Sequence, residues 1–254
     1  VLVDRKEYLE TALPVPEEVT GTSAAHVRQI LQASSAGFLP QEPLNEILQA
    51  YGIPVPPVGL AQTAAEAVML AESMGYPVAL KIASPDIPHK SDIGGVLLNR
   101  DDAAEVTAGF ATIMQRAEAA HPEAKLLGVD VQKMIPAGQE VIVGAVQDPQ
   151  FGPLVMFGSG GVEVEGLQDV AFALAPLTRH EAEQMLAKTW AGRKLKGYRH
   201  MAAADETAVI NVLFRLGQLA ADFPQFAEIE INPLRVLSVG EGVVAVDARA
   251  RLSG

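Results

Sequence analysis

Hydrophobic and polar positions along this chain change repeatedly between a helical and an extended spacing. Residues 63–74 begin with Thr-Ala-Ala-Glu, a capping-box sequence, and keep a helical pattern until Gly75. Apolar runs bounded by Gly or Pro predict strands at 77–83, 95–99 and 127–135, and a helix beginning at Asp101-Asp102 is predicted to about residue 120. With a further strand ahead of the first helix, they predict a compact β-α-β-β-α-β unit.

A second block of mixed elements surrounds this unit. Strands are predicted at 140–146, 154–157, 228–231, 234–237 and 243–246, and helices at 26–34, 42–51, 178–188 and 205–222. In the last helix Val209, Leu213, Leu216 and Ala220 share one face, as in a helix that packs on a core. The mixture predicts an α/β (α+β) fold with two α+β subdomains that share a cleft.

The composition of the chain excludes several classes of function. With 254 residues and 49% hydrophobic residues, the chain can form one or two domains. Its 31 acidic and 19 basic residues give a net charge of −12, which argues against nucleic acid or an anionic membrane as a partner. It has no cysteine, so disulfides and thiolate metal sites are excluded, and we expect a cytoplasmic protein. No signal peptide or membrane-spanning run is visible.

The beginning of the chain differs from the rest. Residues 1–24 mix charge, Pro, Gly and Thr without a sustained period, which predicts a linker or the tail of an upstream domain. The first residue is Val1, so we expect that another segment precedes it.

The stretch Lys-Ile-Ala-Ser-Pro-Asp-Ile-Pro-His-Lys-Ser-Asp at 81–92 carries the most informative chemistry. It places Lys81 at the end of an apolar strand and His89 on the following loop, which two prolines keep from forming a helix. The loop returns through Gly94-Gly95, where glycine lets backbone N–H groups approach an anion. These features favour a phosphate-handling loop, while a solvated turn with an incidental histidine is the simpler alternative.

Carboxylates and an amide follow two strands near the end of the chain. In Glu228-Ile-Glu230-Ile-Asn232-Pro233 the polar residues alternate with apolar ones and share a face, and Asp247 follows the strand predicted at 243–246. Mg²⁺ prefers such oxygen ligands and completes its shell with water and nucleotide phosphates. An ordinary half-exposed strand that ends in a proline turn is the alternative.

Two further segments are weaker signals. Gly158-Ser-Gly160-Gly161-Val-Glu163 is not a dinucleotide fingerprint, because Glu163 stands where a third glycine is required, and the chain has no P-loop sequence. Its glycines indicate either a tight turn or a close approach to phosphate. The strand around residues 131–135 connects the two blocks and could present backbone amides and an apolar wall to a flat base, or serve structure alone.

Taken together, the Lys81 to Val96 segment, the glycine stretch after Phe157, Glu230-Ile-Asn232-Pro233 and Asp247 resemble the ATP-grasp half of NDP-forming acyl-CoA synthetases. The similarity is greatest to the β subunit of ADP-forming acetate–CoA ligase, and succinyl-CoA synthetase β is a more distant relative. It covers residues 38–252. It implies an ATP-grasp fold with a nucleotide cleft between a small subdomain (57–133) and a larger one (38–56 and 134–254), preceded by a linker or tail (1–37).

The resemblance also implies an activity and its residues. The family joins an acid, CoA and ATP to acyl-CoA, ADP and phosphate through phosphohistidine, and His89 matches the histidine that carries the phosphoryl group. The nucleotide-binding matches are Lys81 at the phosphates, Gln132, Lys133, Met134 and Ile135 at the adenine side, and Glu140, Gly160 and Gly161. Asn232 and Asp247 match Mg²⁺ ligands, with Glu230 as a weaker match.

The same resemblance implies a missing partner. The chain contains no CoA-binding Rossmann segment and no second catalytic histidine motif, so it is expected to perform only the nucleotide half-reaction. A CoA-binding domain or subunit, fused upstream in the full protein, would supply the rest, within an oligomer.

Two alternatives remain: a regulatory ATP-binding module of a protein acetyltransferase fusion, and a carboxylate–amine ligase of the ATP-grasp group. The His89 loop has no role in either.

Overall fold

The computed structural model describes residues 16, 19–87, 89–160 and 169–254. Most of the predicted linker, together with Pro88, Gly161 and Glu163, lies outside these described residues. The described strands form two antiparallel sheets, one of four strands and one of seven.

The four-stranded sheet, called here the small sheet, is built from one continuous part of the chain. Its strands are β2 (Val58–Ala61), β3 (Val78–Ala83), β4 (Val96–Arg100) and β5 (Gly128–Lys133), in the order β2-β5-β3-β4. Two helices, α3 (Ala64–Met74) and α4 (Ala103–Ala120), pack on one of its faces. The capping box predicted for α3 is present, since the Glu66 amide donates to the Thr63 hydroxyl at 3.2 Å and the Glu66 carboxylate accepts from the Thr63 amide.

The seven-stranded sheet, called here the large sheet, collects strands from both ends of the described chain. Its strands are β1 (Gly37–Phe38), β6 (Gln139–Asp148), β7 (Gly152–Ser159), β8 (Val170–Leu174), β9 (Phe226–Val236), β10 (Val243–Ala245) and β11 (Ala248–Leu252). Their order is β1-β11-β9-β6-β7-β8, and β10 also pairs with β9. The helices around this sheet are α1 (Ala24–Ala33), α2 (Gln41–Ala50), α5 (Arg179–Lys188), α6 (Trp190–Leu195) and α7 (Glu206–Asp222).

Each sheet has its own apolar core. In the small unit Leu80, Ile82, Val129 and Val131 are fully buried against α3 and α4. In the large unit the predicted face of α7 is buried, with Val209, Leu213 and Leu216 at 0% exposure and Ala220 at 2%. Burial of these side chains is the main favourable contribution to folding. None of the described helices has the length and apolar composition needed to cross a membrane.

The strand predicted to break at Pro233 is continuous. The sequence pattern predicts two strands at 228–231 and 234–237, whereas β9 runs unbroken from Phe226 to Val236. The pairing of β9 with β6 shifts in register between Val141 and Val143, opposite this proline. A proline is tolerated where the ladder is irregular, because no hydrogen bond from its missing N–H is required there.

Candidate functional site in the cleft between the two sheets

Two polar side chains of the small sheet reach the same backbone oxygen of the large sheet. Lys81 Nζ donates to the Val246 carbonyl at 3.1 Å, and Gln132 Nε2 donates to the same oxygen at 3.0 Å. Val246 lies in the short link between β10 and β11. These contacts close one end of the cleft between the sheets.

Strand pairing places Lys81, Asp130 and Gln132 on one face of the small sheet, called here the cleft face. Lys81 is directly opposite Asp130 in the β3–β5 register, and Gln132 follows Asp130 by two residues. The alternate residues of both strands belong to the apolar core on the opposite face. All three cleft-face side chains are buried, with exposures of 6–8%.

The Lys81 ammonium lies at the boundary of the two sheets and faces a carboxylate of the large sheet, that of Asp247. Its distance to Asp247 Oδ1 is 3.9 Å, and Asp247 is the less enclosed partner, with 46% of its side chain exposed. Burial lowers the pKa of Lys81, and the negative charges of Asp247 and Asp130 oppose that effect. A buried lysine of this kind is favourably placed for an anionic ligand, because the ligand supplies the charge that the protein only partly provides.

Asn232 and Asp247 occupy opposite positions on neighbouring segments. The Asn232 amide donates to the Asp247 carbonyl at 3.0 Å, and the Val246 amide donates to the Pro233 carbonyl at 3.1 Å. Asn232 and Asp247 therefore lie side by side on the large sheet, and the Asp247 carboxylate is 3.9 Å from Lys81 Nζ. This donor set fits Mg²⁺, which is usually held by one or two carboxylates together with nucleotide phosphates and water.

Glu230, the weaker candidate ligand, has a protein partner of its own. Its carboxylate accepts from Arg249 Nη2 at 3.0 Å, across the β9–β11 ladder. Among the residues that the structure describes, no group of three or more His, Asp or Glu side chains could hold a metal ion. A metal at this position would therefore depend on Asn232, Asp247 and the nucleotide itself.

The loop with His89 lies between two anchored ends. Ile87, on one side, is 2% exposed in the small core. On the other side the amide of Gly95 donates to the Lys90 carbonyl at 2.9 Å, and the Ile82 amide donates to the Gly95 carbonyl at 2.8 Å. His89 itself is exposed, directly before a short 3₁₀ helix (Lys90–Ile93).

The predicted adenine-side residues differ in the direction of their side chains. Gln132 faces the cleft, whereas Lys133 Nζ donates to the carbonyls of Gly75 and Tyr76 at 2.6 and 3.1 Å. Met134 and Ile135 are half-buried in the link from β5 to β6. This link is one of the two chain connections between the sheets, the other lying between β1 and β2.

Glu140 and Gly160 lie together at the end of the β6–β7 pair. The Gly160 amide donates to the Glu140 carbonyl at 3.4 Å, and the Glu140 carboxylate is paired with Arg235. A Cβ on Gly160 would lie 2.5 Å from the Val141 carbonyl carbon, so only glycine fits this approach of two backbones. Gly161, the next predicted residue, lies outside the described part of the chain.

Asp130 is the site residue that sequence reasoning missed. It lies within the apolar run Gly-Val-Asp-Val. Its carboxylate is 3.9 Å from Nζ of Lys90, the residue that follows His89 in the sequence. Burial raises the pKa of Asp130, and the positive charges of Lys90 and Lys81 oppose the effect. The sequence did contain a signal for this residue, because a charged side chain in the middle of an apolar strand is rarely buried without a partner.

Known proteins share sequence with this chain over most of its length. The chain is 47% identical over 198 residues to acetate–CoA ligase (ADP-forming) I of Archaeoglobus fulgidus, covering 78% of this chain but 29% of that protein. It is 43% identical over 227 residues to the β subunit of acetate–CoA ligase (ADP-forming) I of Pyrococcus furiosus, covering 89% of this chain and 97% of that subunit. The chain thus spans less than a third of the first relative and nearly all of the second.

Solved structures show the same fold. A chain of the dinucleotide-forming acetyl-coenzyme A synthetase 1 of Ca. Korarchaeum cryptofilum, in complex with coenzyme A and Ca-AMPCP, superposes with a TM-score of 0.86 at 37% identity. The match covers 91% of this chain and 100% of that one. Another structure of that protein, with Mg-AMPPCP, has its phosphohistidine segment pointing towards the nucleotide binding site.

The model of the ATP-grasp domain matches residues 30–252 of the chain. This match covers most of the chain, including both sheets and the residues at their junction. The predicted fold class is confirmed, and so is the similarity to the β subunits of ADP-forming acetate–CoA ligases. The chain belongs to the ATP-grasp family.

Proposed function

We propose that this chain is the nucleotide-binding half of an ADP-forming acid–CoA ligase, in which His89 takes the terminal phosphoryl group from Mg·ATP. The observation that carries the proposal is the meeting of Lys81 and Asp247 across the cleft, 3.9 Å apart, with the His89 loop tied beside them through Lys90 and Asp130. The relatives named above catalyse, or belong to enzymes that catalyse, ADP-forming ligation of an acid to CoA.

Each of these residues has a role that follows from its chemistry. Lys81 neutralises charge on the nucleotide phosphates, and Gln132 with the link at 133–135 borders the base. Asn232 and Asp247 would hold Mg²⁺, which supplies charge neutralisation at the phosphates when bound. Glu140 and Gly160, which meet at the end of the β6–β7 pair, and Gly161, the next residue in the sequence, are the further candidates for nucleotide binding.

His89 would act as the nucleophile in this scheme. A neutral imidazole nitrogen attacks the γ-phosphorus, the bond from phosphorus to the bridging oxygen breaks, and ADP leaves with the electron pair. Phosphoryl transfer depends mainly on positioning and charge neutralisation, so a lysine, a metal site and a nucleophile on a loop are sufficient.

A CoA-binding domain or subunit would complete the reaction, as part of an oligomeric cytoplasmic enzyme. The support is the length comparison: the chain corresponds to a fraction of one relative and to a separately named β subunit in another. The acid is recognised on that other half, so the residues of this chain do not select it.

Isotope exchange between ADP and ATP tests the proposal. A phosphohistidine intermediate makes the chain exchange labelled ADP into ATP with Mg²⁺ alone, without acid or CoA. A regulatory nucleotide-binding module would bind ADP without exchange, and a carboxylate–amine ligase would require its acid and amine. Absence of exchange in a sample that binds Mg·ADP would reject the proposal, and so would equal exchange by the His89→Asn variant.

A further inference from the structure

Asp130 is a buried carboxylate on the cleft face, and it is not among the residues assigned to the nucleotide or the metal. It is 6% exposed and lies between Lys81 on β3 and Leu60 on β2 in the strand registers. A buried charge is costly unless a partner of opposite sign compensates it. The partners of this carboxylate therefore indicate what it does.

The two lysines near Asp130 make different contacts. Lys81 Nζ donates to the Val246 carbonyl and lies 3.9 Å from Asp247, so its main contacts are to the large sheet. Lys90 Nζ lies 3.9 Å from Asp130 Oδ2, and its side chain is 18% exposed. Burial raises the pKa of Asp130, and the negative charges of Asp247 and Glu42 raise it further. Lys90 is thus the lysine that forms an ion pair with Asp130, while the charge of Lys81 also acts on this carboxylate.

Lys90 is the residue directly after His89. Its backbone begins the 3₁₀ helix and is fixed by the bond from the Gly95 amide, at 2.9 Å. Arg116 Nη1 also donates to the neighbouring Gly94 carbonyl at 3.0 Å. The Lys90 side chain is the contact that joins this turn to the cleft face, and the exposed His89 precedes it.

We propose that the Lys90–Asp130 ion pair holds the His89 segment against the cleft face, and that Asp130 is a positioning residue for phosphoryl transfer. The proposal rests on the proposed function of His89. With the pair formed, the Lys90 side chain holds the backbone next to His89 at the cleft face. A segment that leaves the cleft face has to give up this contact, so the pair favours the docked arrangement.

The test compares four variants in single-turnover phosphorylation by Mg·ATP. Asp130→Asn should slow labelling of His89 about tenfold, because the docked population falls, while the Kd for Mg·ADP stays unchanged. Asp130→Glu keeps the charge and should retain most of the rate. The double variant Lys90→Asp/Asp130→Lys restores an opposite pair and should recover part of it. Glu123→Gln removes one negative charge from an exposed position of the same subdomain, outside the His89 segment, and should label at the parental rate.

Hydrogen exchange gives a readout that does not depend on catalysis. The amides of Asp92, Gly94 and Gly95 are hydrogen-bonded within the turn, to the carbonyls of His89, Ser91 and Lys90. Their exchange should accelerate about tenfold in Asp130→Asn and stay at the parental value in Glu123→Gln. This measurement still decides the matter if the parent chain is not labelled, an outcome that would reject the proposed function alone.

Three results would overturn the inference. The first is parental or faster labelling together with parental exchange in Asp130→Asn. The second is a parallel loss of Mg·ADP affinity, which would place Asp130 in the nucleotide site instead. The third is a double variant that labels no faster than Asp130→Asn.

Discussion

Lys81 and Gln132 donate hydrogen bonds to one and the same carbonyl oxygen, that of Val246, from two neighbouring strands of the small sheet. The acceptor directly precedes Asp247, so the same contact sets the distance between the lysine and the candidate metal ligand. A backbone oxygen that accepts two bonds cannot be removed by substitution, and the donors are therefore the positions to vary.

Replacement of Lys81 should reduce phosphoryl transfer far more than it reduces stability. Lys81→Ala removes the buried charge at the phosphates, and the labelling rate should fall about 10²-fold to 10³-fold, as for other preorganised charge-stabilising groups. Single-turnover labelling with Mg·ATP measures this. The exposed Lys125→Ala variant is the matched control and should keep the parental rate. An unchanged rate in Lys81→Ala would exclude the role.

Replacement of Asp247 should weaken metal-dependent nucleotide binding. Asp247→Asn removes the one half-exposed anionic ligand beside Asn232, and the Kd for Mg·ADP should rise about tenfold, equivalent to about 1.4 kcal/mol. Thermal-shift titration with Mg·ADP measures the change, and Glu241→Gln, an exposed charge on the turn before β10, is the control. The same midpoint gain in Asp247→Asn and in the parent would rule out a metal-ligand role.

Asp169 should stabilise the fold in a pH-dependent manner. Its carboxylate accepts from the amides of Trp190 at 2.6 Å and Ala191 at 2.8 Å, and from the Ser159 hydroxyl at 2.8 Å. It therefore joins the end of β7 to the start of α6. Burial alone would raise its pKa, but these hydrogen bonds outweigh burial and hold the pKa below the ordinary value of 3.8.

The sign of the pH effect follows from that lowered pKa. The folded state favours the carboxylate, so the stabilisation is fully present above the unfolded pKa and is lost as the pH falls through the lower folded value. Asp169→Ala should lower the free energy of unfolding by about 2 kcal/mol at pH 7, the loss of a helix cap and charged hydrogen bonds. Urea unfolding at pH 7 and below pH 4 measures it. A difference that stays constant with falling pH would contradict the assignment.

The sequence predicted elements best where a periodic pattern was supported by a local signal. The α3 capping box at Thr63 and Glu66 is present, and the buried face of α7 follows from the spacing of Val209, Leu213 and Leu216. The short strands β8 and β11 were missed, and β2 was expected only as the first strand of the small unit, without bounds. Their pairing partners are distant in the sequence, so only the tertiary fold defines them.

The candidate site was predictable in its residue types but not in its contacts. Lys81, His89 and Asp247 could be found from their positions after apolar runs. The acceptor role of the Val246 carbonyl has no sequence signal, since every residue carries that group. Asp130 was hidden within an apolar strand, and only the strand register shows that it lies opposite Lys81.

Transfer of label from γ-labelled Mg·ATP to His89 is the most direct test of the central claim. The parent chain should acquire label that is acid-labile and alkali-stable, and a chase with Mg·ADP should return that label to ATP. His89→Asn should acquire none while binding Mg·ADP normally. An unlabelled parent chain, or equal label in His89→Asn, would contradict the account.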